Sequence, residues 1–326
     1  MLVVDLLLLT TLSVRAPELL SPSRLDKDSR GYFLRALNLK EHFVFSASTK
    51  EPRFPDMVRT PGYPFVLALF TTRNSLLPLF LLQSLLDAAT CFMVGRVARS
   101  LGGGAAEWWA VALYALNPTL RFAALSVMAE CLFNFGLMLV VTVVVRGAQR
   151  ADVAPHPAFL PLSGFVMALL TLVRPTGKYV FLMALATLVV VHWRRATVRE
   201  IAGKLLLVAL GFTLGVGGWI FRNQAVFGYP VISAIDDLSF VYYVGGGGFA
   251  VQRQLEFSEA RDVLAEELQI PLYTKVINPQ PPAEMRSDLE RIHSVRREIV
   301  TRYPVALLKS LGIGLVRGLL AHDADS

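Results

Sequence analysis

The stretch MVRTPGYPFVLALF, Met57 to Phe70, sets two prolines, a glycine and an arginine directly against the start of an apolar run. Pro61 and Pro64 each fix the backbone angle φ and remove a hydrogen-bond donor, and Gly62 between them permits a tight bend. The chain is therefore expected to enter the apolar run, and with it a membrane, at one set angle.

Two side chains of this stretch are suited to a membrane surface. Tyr63 can place its ring among apolar groups and its hydroxyl in the polar layer. Arg59, just before the bend, is expected to lie at the depth of lipid phosphates. It either binds a phosphate group or, in the simpler alternative, anchors the helix by ordinary interfacial contact.

The composition is that of a membrane protein. Of the 326 residues, 54% are hydrophobic and 17% charged, and the mean hydropathy is +0.51. A soluble core cannot use so much apolar material, and several runs approach the ~20 apolar residues that cross a bilayer. We predict an all-α polytopic membrane protein. The net charge of +7 fits arginines that flank membrane spans, so no nucleic-acid partner is expected.

The apolar runs predict about eight membrane spans, at residues 1–14, 76–97, 105–116, 122–145, 160–173, 180–193, 201–221 and 305–320. They divide the chain into three regions. Residues 1–221 form a transmembrane core with a first polar loop at 15–60, residues 222–303 form a second polar loop, and residues 304–326 hold the last span.

Basic residues mark alternate connectors between the spans. They are Arg96 and Arg99, Arg146 and Arg150, and Arg194, Arg195 and Arg199. The positive-inside rule places these connectors in the cytoplasm, so both polar loops are expected on the opposite face of the membrane.

Other patterns concern packing. Met285, Leu289 and Ile292 fall on one helical face, which predicts a helix in the second loop that lies along the interface or caps a domain. Gly211 and Gly215 have the spacing that lets membrane helices approach closely. The glycines of YYVGGGG, residues 242–248, predict a flexible loop. No Lys-Ser/Thr follows them, so this is not an ATP-binding loop.

Acids stand at two places with possible chemistry. Asp26 and Asp28 precede a segment expected to become helical at about Gly31. A carboxylate at a membrane surface, beside apolar and cationic groups, can be tuned as a general base. The alternative is that both aspartates are simply solvated. Glu130 and Asp87 lie within apolar runs, where acids face the protein interior. Asp87 is expected to hydrogen-bond a neighbouring helix, and Glu130 is open to either role.

Three further cations are expected on the outer face together with Arg59. Arg174 and Lys178 flank a Pro-Thr-Gly bend, and Arg222 lies at a helix end. Cations held at rigid bends on one face suit a phosphate or pyrophosphate head group. The two cysteines and five histidines show no metal-ligand spacing, so no metal site is predicted.

Several motifs, taken in order, resemble those of the GT-C membrane glycosyltransferases. They are DSRGY (Asp28 to Tyr32), RTPGYPFVLAL, LLQSLLDAAT, NPTLRFAALSVMAECLF, LVRPTG and WIFRNQAVFG. The nearest members are bacterial and related to aminoarabinose transferases and protein O-mannosyltransferases. The resemblance runs from about residue 26 to YPVALLK at 303–309, RTPGYP is its most specific part, and the order of the motifs is stronger than any one of them.

The resemblance implies a GT-C-like helical bundle and an inverting sugar transfer. The donor would be a polyprenyl-phosphate sugar and the acceptor a lipid, glycan or protein, at the non-cytoplasmic face of the plasma (inner) membrane. Asp28 matches the family's general base better than Asp26. The residues matched to the donor phosphate are Arg59, Arg174, Lys178 and Arg222, and those matched to the pocket are Tyr32, Tyr63 and Glu130. Family members differ in their need for a divalent metal, so that cofactor stays open.

Family members usually have more spans and often a soluble C-terminal region. A truncated, non-catalytic homologue is therefore one alternative to the enzyme. Another is a transporter or flippase of a lipid-linked sugar, which would use the same cations and an apolar groove but no base.

Overall fold

The computed structural model describes residues 25, 27–72, 75–149, 158–194 and 196–320, and helices are the only regular secondary structure in these ranges. The α-helices are α1 (Lys27–His42), α2 (Gly62–Phe70), α3 (Leu77–Leu116), α4 (Pro118–Ala124), α5 (Glu130–Gln149), α6 (Phe159–Val173), α7 (Gly177–His192), α8 (Val198–Phe227), α9 (Ile235–Leu238), α10 (Gly246–Arg253), α11 (Phe257–Glu267), α12 (Tyr273–Val276), α13 (Pro282–Ser294), α14 (Arg296–Arg302) and α15 (Pro304–Leu320). A π-helical turn, Ser239–Gly245, joins α9 to α10. The all-helical prediction is confirmed.

Three described helices, α3, α5 and α8, are long and apolar enough to cross a membrane. Helices α6 and α7 and the described beginning of α15 are apolar but shorter. Helix length therefore supports three spans and not the predicted eight, of which the first, at residues 1–14, lies outside the described residues.

Helix α3 reverses direction at Gly103, whose φ of 78° is a left-handed conformation that glycine adopts without strain. A side chain at Gly95 would lie 2.7 Å from Val111, and Arg99 pairs with Glu107 at 3.0 Å. Residues sixteen apart in a straight helix are about 24 Å apart, so the two halves of α3 run antiparallel. These halves correspond to the predicted runs 76–97 and 105–116.

The contacts divide the described chain into two units. Unit 1 contains the described residues up to Thr49 together with Thr60–Phe221, and unit 2 contains Lys50–Arg59 and the residues from Arg222 onward. The division after Phe221 coincides with the predicted end of the core. Residues 50–59 and the described part of 304–326 belong to unit 2.

Glycines bring α6 and α8 of unit 1 into backbone contact. A Cβ atom at Gly211 would collide with the carbonyl oxygen of Pro161, and one at Gly215 would lie 2.5 Å from the Cβ of Ala168. The close approach predicted from the spacing of Gly211 and Gly215 is confirmed.

The core of unit 2 receives the apolar face of α13. Met285, Leu289 and Ile292 are buried there, among the side chains that α10 and α11 contribute. Of the two predicted roles for this helix, capping a domain agrees with the structure, because its apolar face is covered by protein.

The prediction of a flexible loop at YYVGGGG is wrong. Residues 242–245 belong to the π-helical turn and Gly246–Arg253 is helical. A Cβ atom at Gly248 would lie 2.8 Å from Leu307 of α15. The glycines therefore permit a close helix crossing, and packing against α15 supplies the stability that a glycine run lacks by itself.

Candidate functional site

The predicted site residues fall into two groups. Unit 1 holds Asp28, Tyr32, Tyr63, Glu130, Arg174 and Lys178, and unit 2 holds Arg59 and Arg222. Asp26 lies outside the described residues. Within unit 1, side chains from motifs far apart in the sequence meet at one place.

The two tyrosines of the predicted pocket contact each other. The ring of Tyr32 on α1 meets the ring of Tyr63 on α2 edge to face, with centroids 5.1 Å apart and an angle of 88° between the planes. Tyr63 is fully buried, and its hydroxyl donates to Oε1 of Gln83 at 2.9 Å. The prediction that this hydroxyl lies in the polar layer of the membrane is therefore wrong, because it is buried in the protein and bonded to the Gln83 amide.

Gln83 connects this pair to the segment before Glu130. Its Nε2 donates to the carbonyl oxygens of Ala124 and Ser126, each at 2.9 Å. The thiol of Cys131 donates to the carbonyl oxygen of Gln83 at 3.2 Å. Sequence reasoning missed this junction, although a single amide in the apolar run of LLQSLLDAAT was a usable signal.

The bend at Thr60 to Gly62 packs on the turn that carries Arg174. The hydroxyl of Thr60 donates to the carbonyl oxygen of Val173 at 3.4 Å. A Cβ atom at Gly62 would lie 2.7 Å from the carbonyl group of Leu172 and from the nitrogen of Val173. Only glycine allows α2 to approach the end of α6 so closely.

Glu130 and Arg174 form an ion pair at the centre of this region. Nη1 of Arg174 donates to Oε1 of Glu130 at 2.6 Å, and the two side chains are 41% and 32% exposed. Glu130 begins α5, where the helix dipole favours a carboxylate. Its Oε2 is shielded from solvent and has no hydrogen-bond partner among the residues that the structure describes. In this structure, then, a carboxylate already neutralises the guanidinium matched to the donor phosphate.

Asp28 and Lys178 lie on α1 and α7, in the first turn of each helix. Asp28 is exposed in the first turn of α1, which begins at Lys27 and not at Gly31 as expected. It lies four residues before Tyr32, so both belong to one helical face. Lys178 lies in the first turn of α7, with Nζ 5.1 Å from the centroid of the Tyr179 ring.

Asp87 has the structural role expected for it. It is buried, it accepts a hydrogen bond from the hydroxyl of Tyr114 at 2.9 Å, and it pairs with Arg121. Asp87 therefore connects the two halves of α3, through Tyr114, and connects α3 to α4, through Arg121.

Arg222 holds a backbone segment inside unit 2. Its Nη1 donates to the carbonyl oxygen of Asp56 at 2.7 Å and to Oδ1 of Asn223 at 2.8 Å. Its Cζ lies 5.3 Å from the centroid of the Phe227 ring. The half-buried Arg59 follows in the same segment. These contacts give Arg222 a structural function, and its match to the donor phosphate stays a prediction.

Across the described ranges, no group of three or more His, Cys, Asp and Glu side chains is arranged to hold a metal ion. The predicted site residues of unit 1 supply two carboxylates, a guanidinium, an amine and two tyrosine hydroxyls. No protein-family model, no curated protein and no solved structure matches this chain.

Proposed function

We propose that this chain is a membrane glycosyltransferase that moves a sugar from a polyprenyl-phosphate donor to an acceptor hydroxyl. The observation that carries the proposal is the meeting, in unit 1, of residues from DSRGY, RTPGYPFVLAL, LLQSLLDAAT, NPTLRFAALSVMAECLF and LVRPTG. They meet through the contacts of Tyr63, Gln83 and Gly62 and through the Glu130–Arg174 pair. These are the motifs on which the resemblance to GT-C enzymes depends.

The proposed reaction is a direct displacement at the anomeric carbon. The carboxylate of Asp28 takes the proton of the acceptor hydroxyl, whose oxygen attacks as the bond to the phosphate oxygen breaks. Negative charge then grows on the lipid phosphate. A fixed guanidinium and an amine, from Arg174 and Lys178, stabilise that charge more in the transition state than in the ground state.

The Glu130–Arg174 pair suggests how the donor enters. Before the donor binds, the carboxylate of Glu130 balances the charge of the partly exposed guanidinium and orients it. A phosphate offers the guanidinium a second anion and competes with the carboxylate. In this proposal Glu130 orients Arg174 and leaves it when the phosphate arrives.

The finer parts of the proposal concern location. It places the reaction at the non-cytoplasmic face of the plasma membrane, in a multi-pass GT-C-like helical bundle. The apolar helices α3, α5 and α8 support a membrane location. The acceptor is a lipid, glycan or protein hydroxyl.

Comparison of cells with and without the gene tests the proposal at the level of product. Mass spectrometry of membrane glycolipids and envelope glycans should show one glycoconjugate lost and its polyprenyl-phosphate donor accumulated in the deletion strain. Restoration by the wild-type gene but not by Asp28→Asn is expected. Unchanged glycolipids and glycans, or full restoration by the variant, would refute the proposed reaction.

A further inference from the structure

Unit 2 carries an exposed aromatic cluster that the proposed reaction does not use. Its members are Tyr243, Phe257 and Tyr273, with Arg261 against the rings. Tyr243 and Phe257 are 46% and 40% exposed, and Leu272 beside them is 48% exposed. Three aromatic rings in mutual contact, two of them partly exposed, form a surface on which another molecule can pack.

The cluster presents ring surface and hydroxyl groups together. The Tyr243 ring lies 5.6 Å from the Tyr273 ring and 5.8 Å from the Phe257 ring, measured between centroids. The two tyrosine hydroxyls are 3.2 Å apart on the exposed side. A hydroxyl both donates and accepts hydrogen bonds, so this edge can bond a ligand that also carries hydroxyls.

The backbone that presents Tyr243 is unusual. Tyr243 lies on the π-helical turn Ser239–Gly245, a rare conformation that is frequent at functional sites. Its neighbour Tyr242 is fully buried and donates its hydroxyl to the carbonyl oxygen of Pro271. Burial, with Asp288 nearby, raises the pKa of the Tyr242 hydroxyl. Tyr242 therefore fixes the turn from inside while Tyr243 is exposed.

Arg261 stiffens the cluster. Its Cζ lies 4.7 Å from the centroid of the Tyr273 ring and 5.8 Å from that of Phe257. Its Nε is buried and has no hydrogen-bond acceptor among the described residues. The guanidinium is thus used in cation–π contact, which holds the two rings in a fixed relation.

The surrounding charge selects against anionic ligands. Two exposed acidic residues, Glu259 and Asp262, lie on α11 within five residues of Phe257, on either side of Arg261 in the sequence. Such a surface repels anionic lipids and acidic glycans. A neutral sugar ring suits it, because the C–H groups of the ring pack on aromatic faces and its hydroxyls bond to the tyrosine pair.

We infer that the cluster of Tyr243, Phe257 and Tyr273 binds a neutral sugar ring of a glycan. That this glycan is the acceptor rests on the proposed function, whereas the binding itself does not. The inference narrows the acceptor from a lipid, glycan or protein to a glycan.

Saturation-transfer NMR on the full chain in phosphatidylcholine nanodiscs tests the binding directly. Nanodiscs are required because alkyl-glycoside detergents would themselves present sugars. The probes are short oligosaccharides of glucose, galactose, mannose and N-acetylglucosamine, with uronic-acid oligosaccharides as the charged comparison. Neutral probes should receive saturation, and Tyr243→Ala and Phe257→Ala should weaken their binding by about tenfold.

Two further variants separate binding from folding. Phe43→Ala removes a ring that is 89% exposed in unit 1 and should leave binding unchanged. Tyr243→Phe keeps the ring, removes one hydroxyl and should weaken binding by a smaller factor. The melting temperature of each purified variant is measured, and binding is compared only among variants that melt at the same temperature as the wild type.

The inference is overturned if no neutral oligosaccharide receives saturation, or if the cluster variants bind as the wild type does. It is also overturned if those variants instead lose binding to phosphatidylcholine vesicles, since the cluster would then be a membrane contact. No sugar donor is present in this experiment, so its result does not depend on transfer. In a separate assay that adds a polyprenyl-phosphate sugar, glycan binding without transfer would contradict the proposed function alone. Transfer insensitive to Tyr243→Ala in that assay would contradict the role of the cluster in binding the acceptor.

Discussion

Single side chains in unit 1 meet because buried polar groups require partners. The hydroxyl of the fully buried Tyr63 donates to Oε1 of Gln83. Tyr63→Phe keeps the ring but leaves that amide oxygen unpaired. We expect a loss of about 1–3 kcal/mol in the free energy of unfolding. The amide oxygen would stay buried away from water, and no hydrogen bond from Tyr63 would offset the cost of its desolvation.

Thermal unfolding of the purified protein, followed by tryptophan fluorescence, measures this loss. Tyr179→Phe is the matched control, because Tyr179 is 55% exposed and its hydroxyl can bond to water. Equal melting temperatures for the two variants would show that the Tyr63 hydroxyl contributes nothing to stability.

Substitutions at Glu130 and at Arg174 are expected to change the affinity for a polyprenyl phosphate in opposite directions. Glu130→Gln should strengthen binding of a polyprenyl phosphate, since the guanidinium loses the carboxylate that neutralises it. Arg174→Gln should weaken that binding. Both side chains are partly exposed, so each change is about two- to fivefold. Titration of a short polyprenyl phosphate by calorimetry measures it, and changes of the same sign would exclude competition between phosphate and carboxylate.

At the scale of helices, glycine contacts decide which elements approach. Gly62→Ala would place a methyl group 2.7 Å from the Leu172 carbonyl group, which is backbone and cannot rotate away. We expect a loss of about 1–3 kcal/mol in unfolding free energy and lower transfer activity, because α2 would be displaced from the end of α6.

Gly203→Ala is the control for this helix prediction. Gly203 lies within α8 with no atom near its added methyl group, so alanine should stabilise the helix by about 0.5–1 kcal/mol. Calorimetric unfolding of both variants provides the comparison. A Gly62→Ala protein as stable as the wild type would mean that the contact of α2 with α6 is loose.

The sequence predicted helices better than it predicted their ends and partners. Apolar runs predicted α3, α5 and α8 because hydropathy is a local property. The YYVGGGG segment was misread because its helix depends on contact with α15, about 60 residues away. Tyr32, Tyr63, Glu130 and Arg174 were chosen from their motifs. The junction at Gln83 was missed, because only the fold shows which carbonyl oxygens its amide reaches.

At the scale of the whole molecule, the charge pattern predicts which membrane face each connector occupies. Cysteines placed at Thr176 and Ser294, both exposed, should react with a membrane-impermeant maleimide added to intact cells. A cysteine at the exposed Ser100 should react only after the membrane is opened. Cys91 and Cys131 are buried and would be replaced by alanine for this experiment. Labelling of Ser100→Cys in intact cells would show that the chain has the opposite orientation in the membrane.

Release of polyprenyl phosphate by the purified protein is the direct test of the proposed sugar transfer. With a matching polyprenyl-phosphate sugar and an acceptor glycan, the wild type should release the lipid phosphate in step with sugar transfer. Asp28→Asn should fold normally and release it about 10²–10⁴-fold more slowly, because the acceptor hydroxyl would lack its base. Glu41→Gln, on the same helix, should release it at the wild-type rate. Equal release by the wild type and Asp28→Asn would contradict the account.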